Sequence, residues 1–342
     1  MNLHAFLRGG AVLAALLATG ACNDQITDSA ARPLPGDTVP RTTISIAALP
    51  SVNVVALIDT VDNTIIADST SAYDVPTTTQ TNHFRAAVDS VLAGRVAGAD
   101  ALLAQYGYDV YSIREAVTGD SLVVFRERAP AGGADVPRGW GTYVYNPSPT
   151  ARRADIHANH PISDLNTEDM AADLYQRCRC RWLFVAGAER DANHLDPAQQ
   201  SDMARVTNSV FHQMYTRVAA ANVRTLSIHG FVASKHTLPS GVDHVLSNGG
   251  RFLNDAAQTY TAADTTLRTR LVNNGFVSGL FNRDAGYDEL GATVNPQGQH
   301  SNNSFGFGRW MSIETEKNVR DSTTLRATMN TVLRQWIIDF PA

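Results

Sequence analysis

Trp182-Leu183-Phe184-Val185-Ala186-Gly187 is an unbroken apolar run closed by a glycine. A strand with one wet face alternates. A short continuous run reads instead as a strand covered on both faces, which requires helices above and below its sheet. The flanks fit that reading. Thr167 to Arg177 has helical apolar spacing, with Asp164 or Asn166 placed as its N-cap. Arg153-Ala154-Asp155-Ile156 before it reads as a short strand. Downstream, a long helix is expected over Pro197–Ala221, opened by Asp196-Pro197. Val223–Ile228 is then a strand ending at His229-Gly230, and Val242–Ser247 is another, stopped by Asn248-Gly249-Gly250. A helix over Arg251–Asn273, a strand over Arg309–Glu314 and a helix over Thr323–Ile338 complete the series. Upstream, Phe84–Ala104 reads as a helix, and Ser121–Phe125 and Thr142–Tyr145 read as strands. Strands alternating with helices predict an α/β fold, a three-layer sandwich around a mostly parallel mixed sheet.

The 342 residues carry 28 Lys and Arg against 33 Asp and Glu, a formal charge of −5. No basic stripe is available for phosphates, so no nucleic-acid partner is expected. The 3 cysteines cannot build a disulfide framework. Cys178 and Cys180 read as two small half-buried residues at a helix end, because a bridge across one intervening residue is geometrically poor.

The amino terminus reads as a targeting segment. Arg8 precedes the apolar run Gly9–Ala18, about half the length a membrane-spanning helix needs. Thr19-Gly20-Ala21-Cys22 resembles the lipobox of bacterial lipoproteins, although Thr19 stands where Leu is usual. That resemblance implies a signal peptide over residues 1–21, lipidation at Cys22, and a protein exported to the bacterial cell envelope, in the periplasm or at the cell surface, meeting the membrane only through its lipid anchor. Residues 22–82 are rich in Thr, Ser, Asp and Pro and read as a tether; Val52–Ile58 and Thr64–Ala67 could pair as a β-hairpin within it. The catalytic α/β domain is expected over 83–342.

No GxSxG, GxxxxGK, HExxH or GxGxxG string occurs. What remains is a set of polar residues at strand ends, where open α/β sheets bind ligands. His160 and Asp164 follow one strand; Glu189, Arg190, Asp191 and Asn193 follow the next; His229 ends a third and Glu314 a fourth. Two imidazoles and a carboxylate form the ligand set of a catalytic zinc with an open position. His160, Asp164 and His229 are therefore the candidate ligands, Glu314 the proton acceptor and Arg190 a fork for a substrate carboxylate. Each residue also has a plainer reading. Arg190 and Asp191 could be a loop ion pair, and Glu168 a first-turn residue at a helix dipole. His157 is a competing first histidine but reads better as a strand-end surface residue. His194, His212 and His236 read as surface residues.

The strings His160-Pro161-Ile162-Ser163-Asp164-Leu165-Asn166-Thr167-Glu168, Ala186–Asn193, Ser227-Ile228-His229-Gly230 and Ile313-Glu314 resemble, in order and spacing, the zinc-carboxypeptidase-like superfamily. The branch is a distant one that includes poly-γ-glutamate hydrolases and N-formylglutamate amidohydrolases. The resemblance spans about residues 120 to 320. It implies a phosphorylase/hydrolase-like fold, a Zn²⁺ cofactor and hydrolysis of an amide bond, peptide or γ-glutamyl, in a small-molecule or peptide substrate with a free carboxylate. Carboxypeptidases usually carry His-x-x-Glu, whereas here the near acid is Asp164, at the fourth place. In γ-glutamate hydrolases the acid precedes a Thr by three residues, as Asp164 precedes Thr167, which favours Asp164 and leaves Glu168 as the alternative ligand. The Asn-Arg pair that grips the substrate's terminal carboxylate has Arg190 and Asn193 as its nearest counterparts. The contrasting expectation is a non-catalytic surface lipoprotein that binds a ligand at the same strand ends; a third is an esterase or deacetylase using the same metal logic.

Overall fold

Among the described residues of this computed structural model, ten strands form one sheet in the order β1-β2-β3-β4-β6-β5-β7-β10-β8-β9. They are β1 (Ser51–Val52), β2 (Tyr108–Glu115), β3 (Ser121–Glu127), β4 (Thr142–Tyr145), β5 (Arg152–Ala158), β6 (Cys180–Val185), β7 (Arg224–Phe231), β8 (His244–Ser247), β9 (Ser278–Leu280) and β10 (Trp310–Glu316). The structure describes residues 49–61, 65–66, 73–128, 138–193, 201–250 and 260–341. The expected signal, Cys22, His194 and the opening of the expected Pro197 helix lie outside them.

The central strands β6, β5, β7 and β10 are parallel, so their carboxyl ends share one edge. The flanks turn antiparallel at β4 and β8, which makes the sheet mixed. One face is covered by α1 (Val54–Val61), α4 (Thr167–Cys178), α6 (Ala262–Asn273) and α9 (Thr323–Asp339). The other is covered by α2 (Thr78–Leu92), α3 (Val96–Leu103) and α5 (Val210–Val218). This is the expected three-layer sandwich. Leu183 and Val185 of β6 enter the first core, while Trp182 and Phe184 enter the second. The absence of alternation in the sequence is thus the signature of two apolar layers. Among the described residues no helix is long and apolar enough to cross a membrane.

Several elements differ from the sequence reading. The first arm of the expected hairpin is the helix α1. Its buried residues Val54, Leu57, Ile58 and Val61 stand at helical spacing, a period hidden inside a short apolar run. In the second arm, Ile66 bridges Ala188 in parallel instead of turning back on α1. The segment read as tether therefore contributes α1 and β1 to the fold, and β1 pairs with β2. The helix expected over Phe84–Ala104 starts earlier, at a Thr77–Gln80 capping box, and breaks at Gly94, where φ is 75°. β2 was not anticipated. The expected Pro197–Ala221 helix is ordered as α5 only from Val210, after a loop over 201–209.

Cys178 and Cys180 are joined as a disulfide, against the expectation of two separate thiols. Arg179 between them takes a left-handed conformation, φ 51°, as α4 ends and β6 begins. That turn sets the two Cα atoms 5.1 Å apart, within the span a disulfide bridges.

Candidate metal centre

In the strand order, β5 has β6 on one side and β7 on the other. The chain reaches β6 through α4 on one face and returns to β7 through α5 on the opposite face. Connections that leave a parallel strand on opposite faces open a crevice at its carboxyl end. His160 lies just past the end of β5, and His229 lies on β7 one residue beyond the Ala158–Ile228 pair.

Three atoms converge there. His160 Nδ1 is 3.2 Å from Asp164 Oδ2, His229 Nδ1 is 3.3 Å from His160 Nδ1, and His229 Nδ1 is 3.4 Å from the same Asp164 oxygen. All three residues are buried, and they form the one His, Cys, Asp and Glu group among the described residues that could hold a metal ion. A nearly equilateral triangle of these dimensions is a specific fit. Tetrahedral bonds of about 2.0–2.1 Å to zinc separate neighbouring ligand atoms by about 3.3–3.4 Å. Three protein donors leave the fourth position for water or substrate.

The far side of each ring is held. His160 Nε2 lies 2.8 Å from Asp202 Oδ1, and His229 Nε2 lies 3.0 Å from Ser227 Oγ. Ser227 in turn donates to Asn159 Oδ1 at 2.7 Å. Partners of this kind fix the tautomer that leaves Nδ1 free to ligate. The ligand loop is clamped by Arg320, 3% exposed, which donates to the backbone oxygens of Asp164, Leu165 (2.7 Å), Phe231 (3.1 Å) and Thr315 (3.0 Å). Gly230 makes room for it: a Cβ there would lie 2.6 Å from the guanidinium carbon and 2.9 Å from the Asp164 carbonyl oxygen.

The electrostatics follow from crowding these groups together where they are buried. Burial alone raises the Asp164 carboxyl, but hydrogen bonds from His160 and His229 outweigh it and hold the group well below the usual range. Burial alone lowers the His160 imidazole; the Asp164 and Asp202 carboxylates reverse this and push it up to about 10. His229 is held down by burial and by the charge of His160, with Asp164 opposing. Glu314 is raised well above a normal glutamate, first by burial and then by the charge of Asp164.

Not every candidate joins this cluster. Glu168, buried in the first turn of α4, is outside the ligand group, so Asp164 is the acid that meets the histidines. Arg190 is 3.6 Å from Asp191 with its side chain 45% exposed, and its charge also reaches Glu314. Asn193 is buried and donates to the Tyr73 carbonyl at 2.8 Å. Glu316 ends β10 and caps α8 (Lys317–Asp321), donating nothing and accepting from Asn318 N. His157, expected at the surface, is fully buried between Phe184, Phe211 and Tyr215, and burial pushes it down to about 3. His212 is likewise buried, while His236 bonds Glu289 at 2.7 Å and stays partly exposed. Asp202, Ser227 and Arg320 were not singled out in the sequence. Asp202 lies in the stretch read as helix, and Arg320 acts through backbone carbonyls, which leave no pattern in sequence.

No family model matches the chain, and no curated protein matches it in sequence. Solved structures similar to it include one titled YNDL-apo, zinc-free, with TM-score 0.37 and 14% identity over 58% of this chain and 90% of that one. A bacteriophage poly-γ-glutamate hydrolase has TM-score 0.33 and 11% identity over 57% and 85%. The succinylglutamate desuccinylase of Chromobacterium violaceum has TM-score 0.37 and 12% identity over 73% of each chain.

Proposed function

We propose that this chain is an exported, lipid-anchored, zinc-dependent hydrolase that cleaves amide bonds, peptide or γ-glutamyl in type, next to a free carboxylate. The single observation that carries the reading is the triangle of His160 Nδ1, His229 Nδ1 and Asp164 Oδ2, with edges of 3.2–3.4 Å, which suits one tetrahedral zinc. Bound by these three side chains, zinc would supply Lewis acidity toward a scissile carbonyl and a water.

The protein's own groups do the rest. Asp202 and Ser227 hold the imidazoles with Nδ1 turned inward. Glu314, buried beside His229, binds a proton more readily than an exposed glutamate, so its carboxylate can take a proton from the attacking water and return it to the leaving amine. Arg190, on the loop after β6, would offer a two-pronged donor to a substrate carboxylate in exchange for its long contact with Asp191. The proposed export rests on the lipobox-like Thr19–Cys22.

The test is hydrolysis by zinc-loaded full-length protein of paired amides that differ only in a free or a methyl-esterified carboxylate, alongside matched esters. Turnover of the free-carboxylate amide, stopped by chelation and restored by zinc, is the expected result. Turnover of esters alone, or none on any pair with zinc bound, contradicts the proposal.

A further inference from the structure

At the opposite edge of the sheet, where β5 and β7 begin, lies a cavity of about 280 Å³. Arg152, Arg153 and Arg224 line it, together with the apolar side chains of Ile337, Phe340 and Pro341. Three arginines thus line one hollow in a chain with a net charge of −5. Among the described residues, none of the three has an ion-pair partner. Arg152 and Arg153 are exposed, whereas Arg224 is only 5% exposed. It stacks on Trp336, 4.4 Å from the ring centre, and donates one NH1 bond to the Gly308 carbonyl at 2.9 Å. Its Nε is buried with no hydrogen-bond partner. The acid that influences it is Asp264, whose Oδ2 accepts from Thr261 N in the α6 capping box while its buried Oδ1 has no hydrogen-bond partner.

A buried arginine with an unsatisfied donor is costly, and two further unpaired arginines at the rim add to the positive field. A carboxylate or phosphate would satisfy the free Arg224 donor, since its oxygens match the guanidinium fork. The apolar wall and the small volume select the rest of the ligand, a compact organic body rather than a polymer.

We propose that the cavity at the amino-terminal edge of β5 and β7 is a binding site for a small organic anion, a carboxylate or phosphate on an apolar body. It is distinct from the metal centre. β5 and β7 run from one to the other, which at about 3.3 Å per residue places them on the order of 20 Å apart. Burial pushes Arg224 down to about 10, with Asp264 opposing the shift and Arg309 adding to it.

The test uses the full chain, with Trp fluorescence and equilibrium dialysis as readouts and benzoate, phenyl phosphate and neutral benzyl alcohol as probes. Saturable, salt-sensitive binding of benzoate or phenyl phosphate is expected, and the tighter of the two names the headgroup. Affinity falls at least about ten-fold in the surface variant Arg152→Ala/Arg153→Ala, as loss of charge-assisted bonds requires. It is unchanged in His229→Ala, which empties the metal centre. Arg224→Gln, which could unfold through Trp336, is a second variant whose loss of binding counts only with a native melting curve. The proposal is overturned if neither anion binds, if benzyl alcohol binds as well, if the surface variant binds normally, or if anionic lipid vesicles bind and the free anions do not.

Discussion

Glu314 stands directly opposite His229 across the parallel β7–β10 ladder. The proposed base is therefore tied to a proposed metal ligand by strand register, with no flexible loop between them. Preorganisation of this kind lets a carboxylate take up a proton without first being moved into place. Glu314→Gln keeps the shape and removes the proton acceptor. Zinc affinity should stay within a few-fold of the parent, while kcat falls about 10²–10⁴-fold, the usual range for a lost general base. Parallel zinc titration and steady-state kinetics check this. Equal losses in both would assign Glu314 to the metal instead.

Asp202 and Ser227 orient the rings that carry Nδ1. Asp202→Asn and Ser227→Ala should each weaken zinc binding by about 10–100-fold while leaving the stoichiometry at one. Competition against a coloured chelator reads the effect. Unchanged affinity in both variants would show that the rings are held by packing alone.

The two acids near His160 separate cleanly. Asp164→Asn should abolish tight zinc binding, whereas Glu168→Gln should retain it, because Asp164 and not Glu168 lies in the ligand triangle. The reverse pattern in dialysis against zinc would transfer the ligand role to Glu168.

Much of this centre is legible in the sequence, and for a physical reason. Parallel strands deliver their following residues to one edge, so His160, His229 and Glu314 could be grouped from strand order alone. The same logic places Arg190 at that edge but does not say which way an exposed side chain turns. What escaped depends on tertiary contact. Asp202 was hidden because Met203 and Val206, in the loop, stand at helical spacing that runs on into α5 at Val210. His157 reads as a strand-end surface residue, yet it lies within β5 on the aromatic face between Phe184 and Tyr215. α1 was ambiguous because a short apolar run suits either period.

Gly230 is fixed by its neighbours. Gly230→Ala drives a methyl group against Arg320 and against the Asp164 carbonyl, which is backbone and cannot swing away. Overpacking of this kind costs about 1–3 kcal/mol. Denaturant unfolding should show that loss together with weaker zinc binding. An unaffected midpoint would mean that the Arg320 clamp is loose.

Asp155 carries a pH dependence of known sign. Its carboxyl is fully buried, both oxygens lack hydrogen-bond partners, and burial, opposed by Arg181, pushes it up to about 8 from 3.8. The folded chain thus keeps a proton between about pH 4 and 8 that the unfolded chain has lost, so this group's contribution to stability falls as pH rises through that window. Asp155→Asn removes the titration. The variant should gain on the parent by on the order of 1 kcal/mol per pH unit across the window. Paired urea melts at several pH values test this; a constant difference between the two proteins would contradict it.

The central claim is that His160, Asp164 and His229 hold one zinc ion, and anomalous X-ray diffraction at the zinc absorption edge on zinc-soaked crystals tests it most directly. The expected result is a single strong peak about 2.0–2.2 Å from His160 Nδ1, His229 Nδ1 and an Asp164 oxygen, with one coordination position left to solvent. No peak there, or a peak ligated by other residues, would contradict it.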